Sequence, residues 1–200
     1  MDRTMTSETG RTADVFRVTP SFGDHYKGLL VDALPLMRWE MDTSVNPLPD
    51  TLEAEWHGDP GGTVSDYPSG HAVVPVFSRR LAEETFPRFQ EFGHYIPVRV
   101  AGARAGDYRA YIPSVIVDCL DRKASSPPSV VGEIEHAEFI PERLPLTVPC
   151  FRLTDNKTYV YWNGWAARLI QSIAGPENVE LRLVWSSDPG AVPHPRPMGF

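Results

Sequence analysis

The sequence predicts an α+β (mixed α/β) fold, with two short helices packed on a mostly antiparallel sheet and the chain organised as two strand–helix–strand units. Three observations carry that reading. Twenty prolines in 200 residues, about double ordinary usage, favour many short extended segments and turns over a helical bundle. Two segments with helical apolar spacing each start at a residue suited to cap a helix, and each is followed at once by an apolar run. The remaining composition, 42% hydrophobic and 22% charged, is that of a globular domain able to bury a core without disulfides or metals.

Residues 1–13 are polar, lack the apolar stretch of a secretory signal, and read as a disordered tail. The domain is expected over residues 14–186. Val15–Val18, Gly28–Ala33 and Leu36–Met41 are short strand candidates, the last because LMRWEM alternates. Residues 42–70 read as a long connection with one short element near Leu52–Trp56. AVVPVF (72–77) predicts a strand. Ser78 then caps a helix in which Leu81, Ala82, Phe86 and Phe89 face the sheet, with Pro87 kinking it and Gly93 ending it. HYIPVRV returns as a strand, AGARAGD turns, and Tyr108–Cys119 runs back. Val131–Phe139, Cys150–Leu153 and Thr158–Tyr161 follow as strands. Asn163 caps a second helix with the apolar stripe Trp165, Leu169, Ile170 and Ile173, stopped by Gly175-Pro176. Val179–Trp185 is the last strand, and residues 187–200 read as an irregular, Pro-rich tail.

Charge placement is more informative than the net charge of -7. Between Trp39 and Ser78 there is no Lys or Arg, while Glu40, Asp42, Asp50, Glu53, Glu55, Asp59 and Asp66 all lie there. Such a surface repels phosphate backbones, which excludes nucleic acid as the expected partner, and attracts a basic protein. Glu53, Glu55, Trp56, Asp59, Asp66 and Tyr67 are the candidate partner-binding residues, the acids for steering and the two aromatics as anchors. No run of about 18 apolar residues exists to cross a membrane. Cys119 and Cys150 are too few and too far apart for a disulfide framework or a zinc motif, and a reducing cytoplasm is the simplest home.

No P-loop, dinucleotide fingerprint, GxSxG elbow or HExxH occurs, so no cofactor is expected. The six histidines, His25, His57, His71, His94, His136 and His194, are scattered and spell no metal site. One stretch invites a catalytic reading: VDCLD, residues 117–121, puts two carboxylates beside a thiol at the end of an apolar run. Carboxylates raise a thiol's pKa, which is wrong for a nucleophile. Cys119 is better read as a small core residue, and Asp121 as the cap of the following turn. A small hydrolase using Asp118 or Asp121 with a distant histidine is the alternative.

The order of elements also resembles a known family. A Ser-initiated helix (Ser78) is followed by a strand with Pro97-Val98, then a strand with Tyr111 that runs into Asp118, Leu120 and Asp121. Ser125 and the segment Phe151-Arg152-Leu153 come next, before a second helix and a final strand. This pattern, over residues 71–186, resembles immunity proteins of bacterial polymorphic toxin systems. The family in question was formerly a domain of unknown function and is named for a myxobacterial immunity protein. Arg79 departs from it, since an acid is usual after the capping serine, and residues 14–70 match loosely. The resemblance implies a protein that binds and neutralises a cognate toxin and has no catalytic residues.

Overall fold

A computed structural model describes residues 12–21, 26–41, 44–69, 74–129 and 133–198. Most of the expected N-terminal tail, Asp42, His25, His71 and the openings of two expected strands (72–73 and 131–132) lie outside them. The fold is α+β, but the sheets are mixed rather than mostly antiparallel, and the described residues hold three helices rather than two.

Ten strands among the described residues form two sheets of five. The first runs in the order β10 (Val179–Ser186), β1 (Asp14–Pro20), β9 (Tyr161–Asn163), β8 (Cys150–Leu153), β7 (Ile116–Val117). The second runs β2 (Lys27–Val31), β3 (Leu52–Gly58), β5 (Gly93–Val100), β6 (Tyr108–Pro113), β4 (Val76–Ser78). β3 and β5 pair in parallel, as do β7 and β8.

The two sequence units are two copies of one device. β4, α2 (Arg79–Phe89) and β5 form a strand–helix–strand unit whose two strands are parallel and separated by β6, antiparallel to both. β9, α3 (Gly164–Ala174) and β10 form the other, with β1 between the strands. Each is a split βαβ unit. In one the inserted strand comes later in the chain; in the other it comes first. The helices lie over a common core built from both sheets, with Phe77, Tyr111, Val18, Trp162 and Val179 packed against Leu81, Phe89, Ala167 and Ile170. Phe77 and Trp162 hold corresponding places, each one residue before its helix cap, and their rings meet at 6.3 Å.

Ser78 caps α2 as its sequence predicts: its hydroxyl accepts from the Leu81 amide at 3.2 Å and also bonds the Asp66 carboxylate, which pairs in turn with Arg80. Arg80 Nη2 donates to the Ile173 carbonyl of α3 at 2.8 Å, so this cap also ties the two helices. Ser78→Ala is expected to cost about 1–2 kcal/mol, read as a lower urea midpoint; Ser78→Asp, which keeps a capping oxygen but faces Asp66, is expected to recover only part. Full recovery by aspartate would count against the Asp66 contact.

Several expected placements need correction. Residues 36–41 are not a strand but the body of α1 (Leu34–Met41). Asp32 accepts from the Leu34 amide at 3.0 Å, Pro35 sits in the first turn, and Leu36 is buried one helical turn from Trp39 and Glu40. That cap and proline are a helix start. The 108–119 strand breaks at Pro113, which offers no N–H: β6 ends in one sheet and the chain crosses to make β7 in the other. Residues 133–138 form no strand. Instead the Ser125 and Ser126 hydroxyls bond the backbone of Glu138 and His136, in place of a regular ladder. Phe86 is exposed and Thr85 takes the inward place on α2.

Pro87 does not break α2, which continues to Phe89. Gly93 has φ -177, so it is no left-handed cap. Its need is space: a Cβ there would stand 2.7 Å from both the Ile112 carbonyl oxygen and the Tyr111 ring. The C-terminal segment is irregular but packed. His194 donates its amide to Leu183 of β10 at 2.8 Å, and Met198 is buried against the far face of the first sheet.

An open acidic sheet face as candidate functional site

The second sheet has one face sealed and the other half open. Leu52, Ala54, Ile96, Val98, Ala110 and Ile112 point to the sealed side, against α1. On the other side α2 covers the β4–β6 end, where Phe77, Tyr95 and Tyr111 pack. Among the described residues no helix lies above the β2–β3 end of that side. Alternation along β3 puts Glu53 and Glu55 there, both exposed, between buried Leu52 and Ala54.

Register fixes their neighbours. Glu55 stands opposite Leu30 of β2, and Glu53 opposite Arg99 of β5, with an ion pair of 3.3 Å. Asp32 completes the rim. Together Leu30, Asp32, Glu53, Glu55, Arg99 and Ala101 line a wide, shallow hollow of about 720 Å³. Three carboxylates and one guanidinium leave it net acidic. The exposed Glu53–Arg99 pair contributes little to stability, as is usual for surface pairs. The β2 edge beside the hollow is closed by the 63–69 loop, since the amides of Lys27 and Leu29 donate to the carbonyls of Thr63 and Pro68.

The structure sorts the six candidate residues. Glu53 and Glu55 share the hollow. Asp59 is exposed and caps a turn, accepting from the Gly61 amide at 2.9 Å. Trp56 faces the other side of the sheet, edge-on to Tyr108 at 5.7 Å, with the Lys27 ammonium 4.7 Å from its ring centre. Asp66 is engaged by Ser78 and Arg80. Tyr67 is a correction: it is 3% exposed, its hydroxyl donates to the Val18 carbonyl, and burial pushes its pKa up. It is core and cannot anchor a partner from the surface.

The acidic stretch is also less bare in space than in sequence. Arg152 pairs with Glu40, Arg99 with Glu53 and Arg80 with Asp66, all three cations coming from outside residues 39–78. Asp32 and Leu30 precede that stretch; strand pairing, not composition, brings them beside Glu55.

At the other expected centre, Asp121 Oδ1 accepts from the Lys123 and Ala124 amides at 3.0 and 3.3 Å, the turn cap its sequence position suggests. Asp118 is half-exposed and pairs with Arg122 at 2.6 Å, while Arg122 also grips Asp155 through two contacts of 2.7 and 2.9 Å. Cys119 is fully buried, and burial, reinforced by Asp118, pushes its thiol up to about 12. A thiol in that state is no nucleophile. Both carboxylates are committed to holding the turn, which weighs against the hydrolase alternative. Among the described residues no three His, Cys, Asp or Glu side chains group to hold a metal ion, and no helix is long and apolar enough to cross a membrane. No protein-family model matches the chain, and no curated protein does.

Proposed function

We propose that this chain is an immunity-like protein that binds a cognate bacterial toxin and neutralises it by direct contact, through the acidic open face of the second sheet. The supporting observation is that face itself: an uncovered end of a sheet carrying Asp32, Glu53 and Glu55 against one arginine. A face of that charge steers a basic partner and rejects an acidic one. The resemblance in element order supports the same reading, and contact alone suffices for it, so no catalytic group, metal or cofactor is needed. A cytoplasmic location belongs to the same proposal.

The test begins with a pull-down of the tagged protein from its own cells, identification of the retained protein, and growth rescue when the two are co-expressed. With the purified pair, Glu53→Lys combined with Glu55→Lys is expected to slow association at least about tenfold at low salt and to leave the melting temperature within a degree or two, because both side chains are exposed. Unchanged association would remove this face from the account. An acidic partner, or rescue that persists in the double variant, would do the same.

A further inference from the structure

The first sheet carries an anomaly on its far face. Arg17 of β1 is only 4% exposed, and its Nη1 is buried with no hydrogen-bond partner among the described residues. Among the described residues the titratable groups acting on its charge are Tyr67, Tyr159, Tyr161 and Arg182, while the Glu133 carboxylate acts on Tyr159 and Tyr161 and not on Arg17. Arg182 stands directly opposite on β10, so two guanidinium-bearing residues face each other across the ladder where like charges repel. The nearest acid along this ladder, Glu180, is engaged by Arg182 at 2.9 Å and reached by Thr19 at 3.5 Å. Tyr161 is fully buried, and its hydroxyl also lacks a hydrogen-bond partner among the described residues.

A guanidinium keeps its charge and presents five N–H donors, so burial without an acceptor is costly. The Tyr159 ring, 5.1 Å from the Arg17 guanidinium carbon, offers it a π face. Burial pulls the Arg17 pKa down, as for a cation lacking a counter-ion. A small oxyanion would answer every part of this: acceptors for Arg17, an acceptor for the Tyr161 hydroxyl, and negative charge between two arginine-bearing strands.

We propose that Arg17 and Tyr161 form a binding site for a small oxyanion, a carboxylate or a phosphate, beneath the ring of Tyr159. Tyr159 belongs to the connection between β8 and β9 and is itself part-exposed, so the site lies next to the surface. The site lies in the first sheet and stands independently of the acidic face of the second.

The test uses the full chain. Thermal melts and calorimetric titrations are run with inorganic phosphate and with acetate, each replacing chloride at constant ionic strength. The expected result is saturable binding and a melting-temperature rise with at least one oxyanion. Affinity should fall at least about tenfold in Arg17→Met and measurably in Tyr161→Phe. Phosphate alone acting identifies a phosphate ligand, and acetate acting identifies a carboxylate. Because phosphate also stabilises proteins by exclusion from their surface, an equal rise in wild type and both variants overturns the proposal. Failure of both oxyanions to exceed chloride overturns it too. Should Arg17→Met not fold, Tyr161→Phe, which removes a single oxygen, decides the outcome.

Discussion

Trp162→Ala is expected to lower the unfolding free energy by about 3–5 kcal/mol, the range for deleting a large buried aromatic. Trp162 is 1% exposed and lies within 6.0–6.3 Å of the rings of Phe77, Phe89 and Tyr111. Phe77 and Tyr111 belong to the second sheet, Phe89 to α2, and Trp162 to the first sheet. The indole therefore sits where the two split βαβ units meet, and its loss leaves a cavity lined by side chains from both. Urea unfolding followed by tryptophan-independent circular dichroism measures the effect. Trp56→Ala is the comparison: that ring lies at the margin of a different cluster and is part-exposed, so the same change should cost less. A loss below about 1 kcal/mol for Trp162→Ala would mean that the central cluster does not join the halves. A biphasic transition in the variant alone would show the opposite, that the join was all that made unfolding one step.

What the sequence made legible was local. Both helix starts were readable because Ser78 and Asn163 precede a change of apolar period from 2 to 3.6, though only Ser78 caps with its side chain: Asn163 Nδ2 donates instead to the Pro145 and Val148 carbonyls. Cys119 and Asp121 were readable because a thiol beside carboxylates and an Asx residue before a turn each have one cheap structural use. The failures came where a local pattern was outweighed by something further away. LMRWEM alternates, but Asp32 and Pro35, four and one residues before it, start a helix there. Tyr108–Cys119 is one extended run in sequence and two strands in space, because Pro113 ends one ladder while β8 offers another. Residues 133–139 alternate as a strand does, yet serine hydroxyls supply part of their hydrogen bonding. Tyr67 looked like surface because its neighbours are acids and glycines; the loop that holds it folds back to close the β2 edge and buries the ring.

The acidic site was half legible for the same reason. Glu53 and Glu55 alternate with Leu52 and Ala54, which fixes a common face from sequence alone. Which face stays open depends on how far α2 reaches across the sheet, a fact about helix length and strand order that no single segment contains. The counter-ions are equally non-local, since Arg80, Arg99 and Arg152 arrive from three different elements.

Glu40→Ala is expected to cost about 3 kcal/mol, at the low end for breaking a buried ion pair, because Glu40 is about a quarter exposed while Arg152 is almost wholly enclosed. Glu40 comes from α1 on the second sheet and Arg152 from β8 of the first, so the pair bridges the two. Arg152 Nη1 also reaches the Lys157 carbonyl at 3.4 Å, but its Nε has no partner, and burial holds its pKa below the usual arginine value. Removing the carboxylate strands that cation beside a cavity of about 170 Å³ whose other walls are mainly Ala33, Leu36, Met37, Val74 and Ile112. Those walls suit a thioether better than a lone guanidinium, so Glu40→Ala with Arg152→Met should be more stable than Glu40→Ala alone. Four urea curves measured at low and at high salt complete the cycle. The coupling should survive high salt, since so enclosed a pair is little screened. Additive single effects, or coupling that disappears with salt, would place the pair with the ordinary surface contacts and leave the junction of the sheets to the aromatic cluster alone.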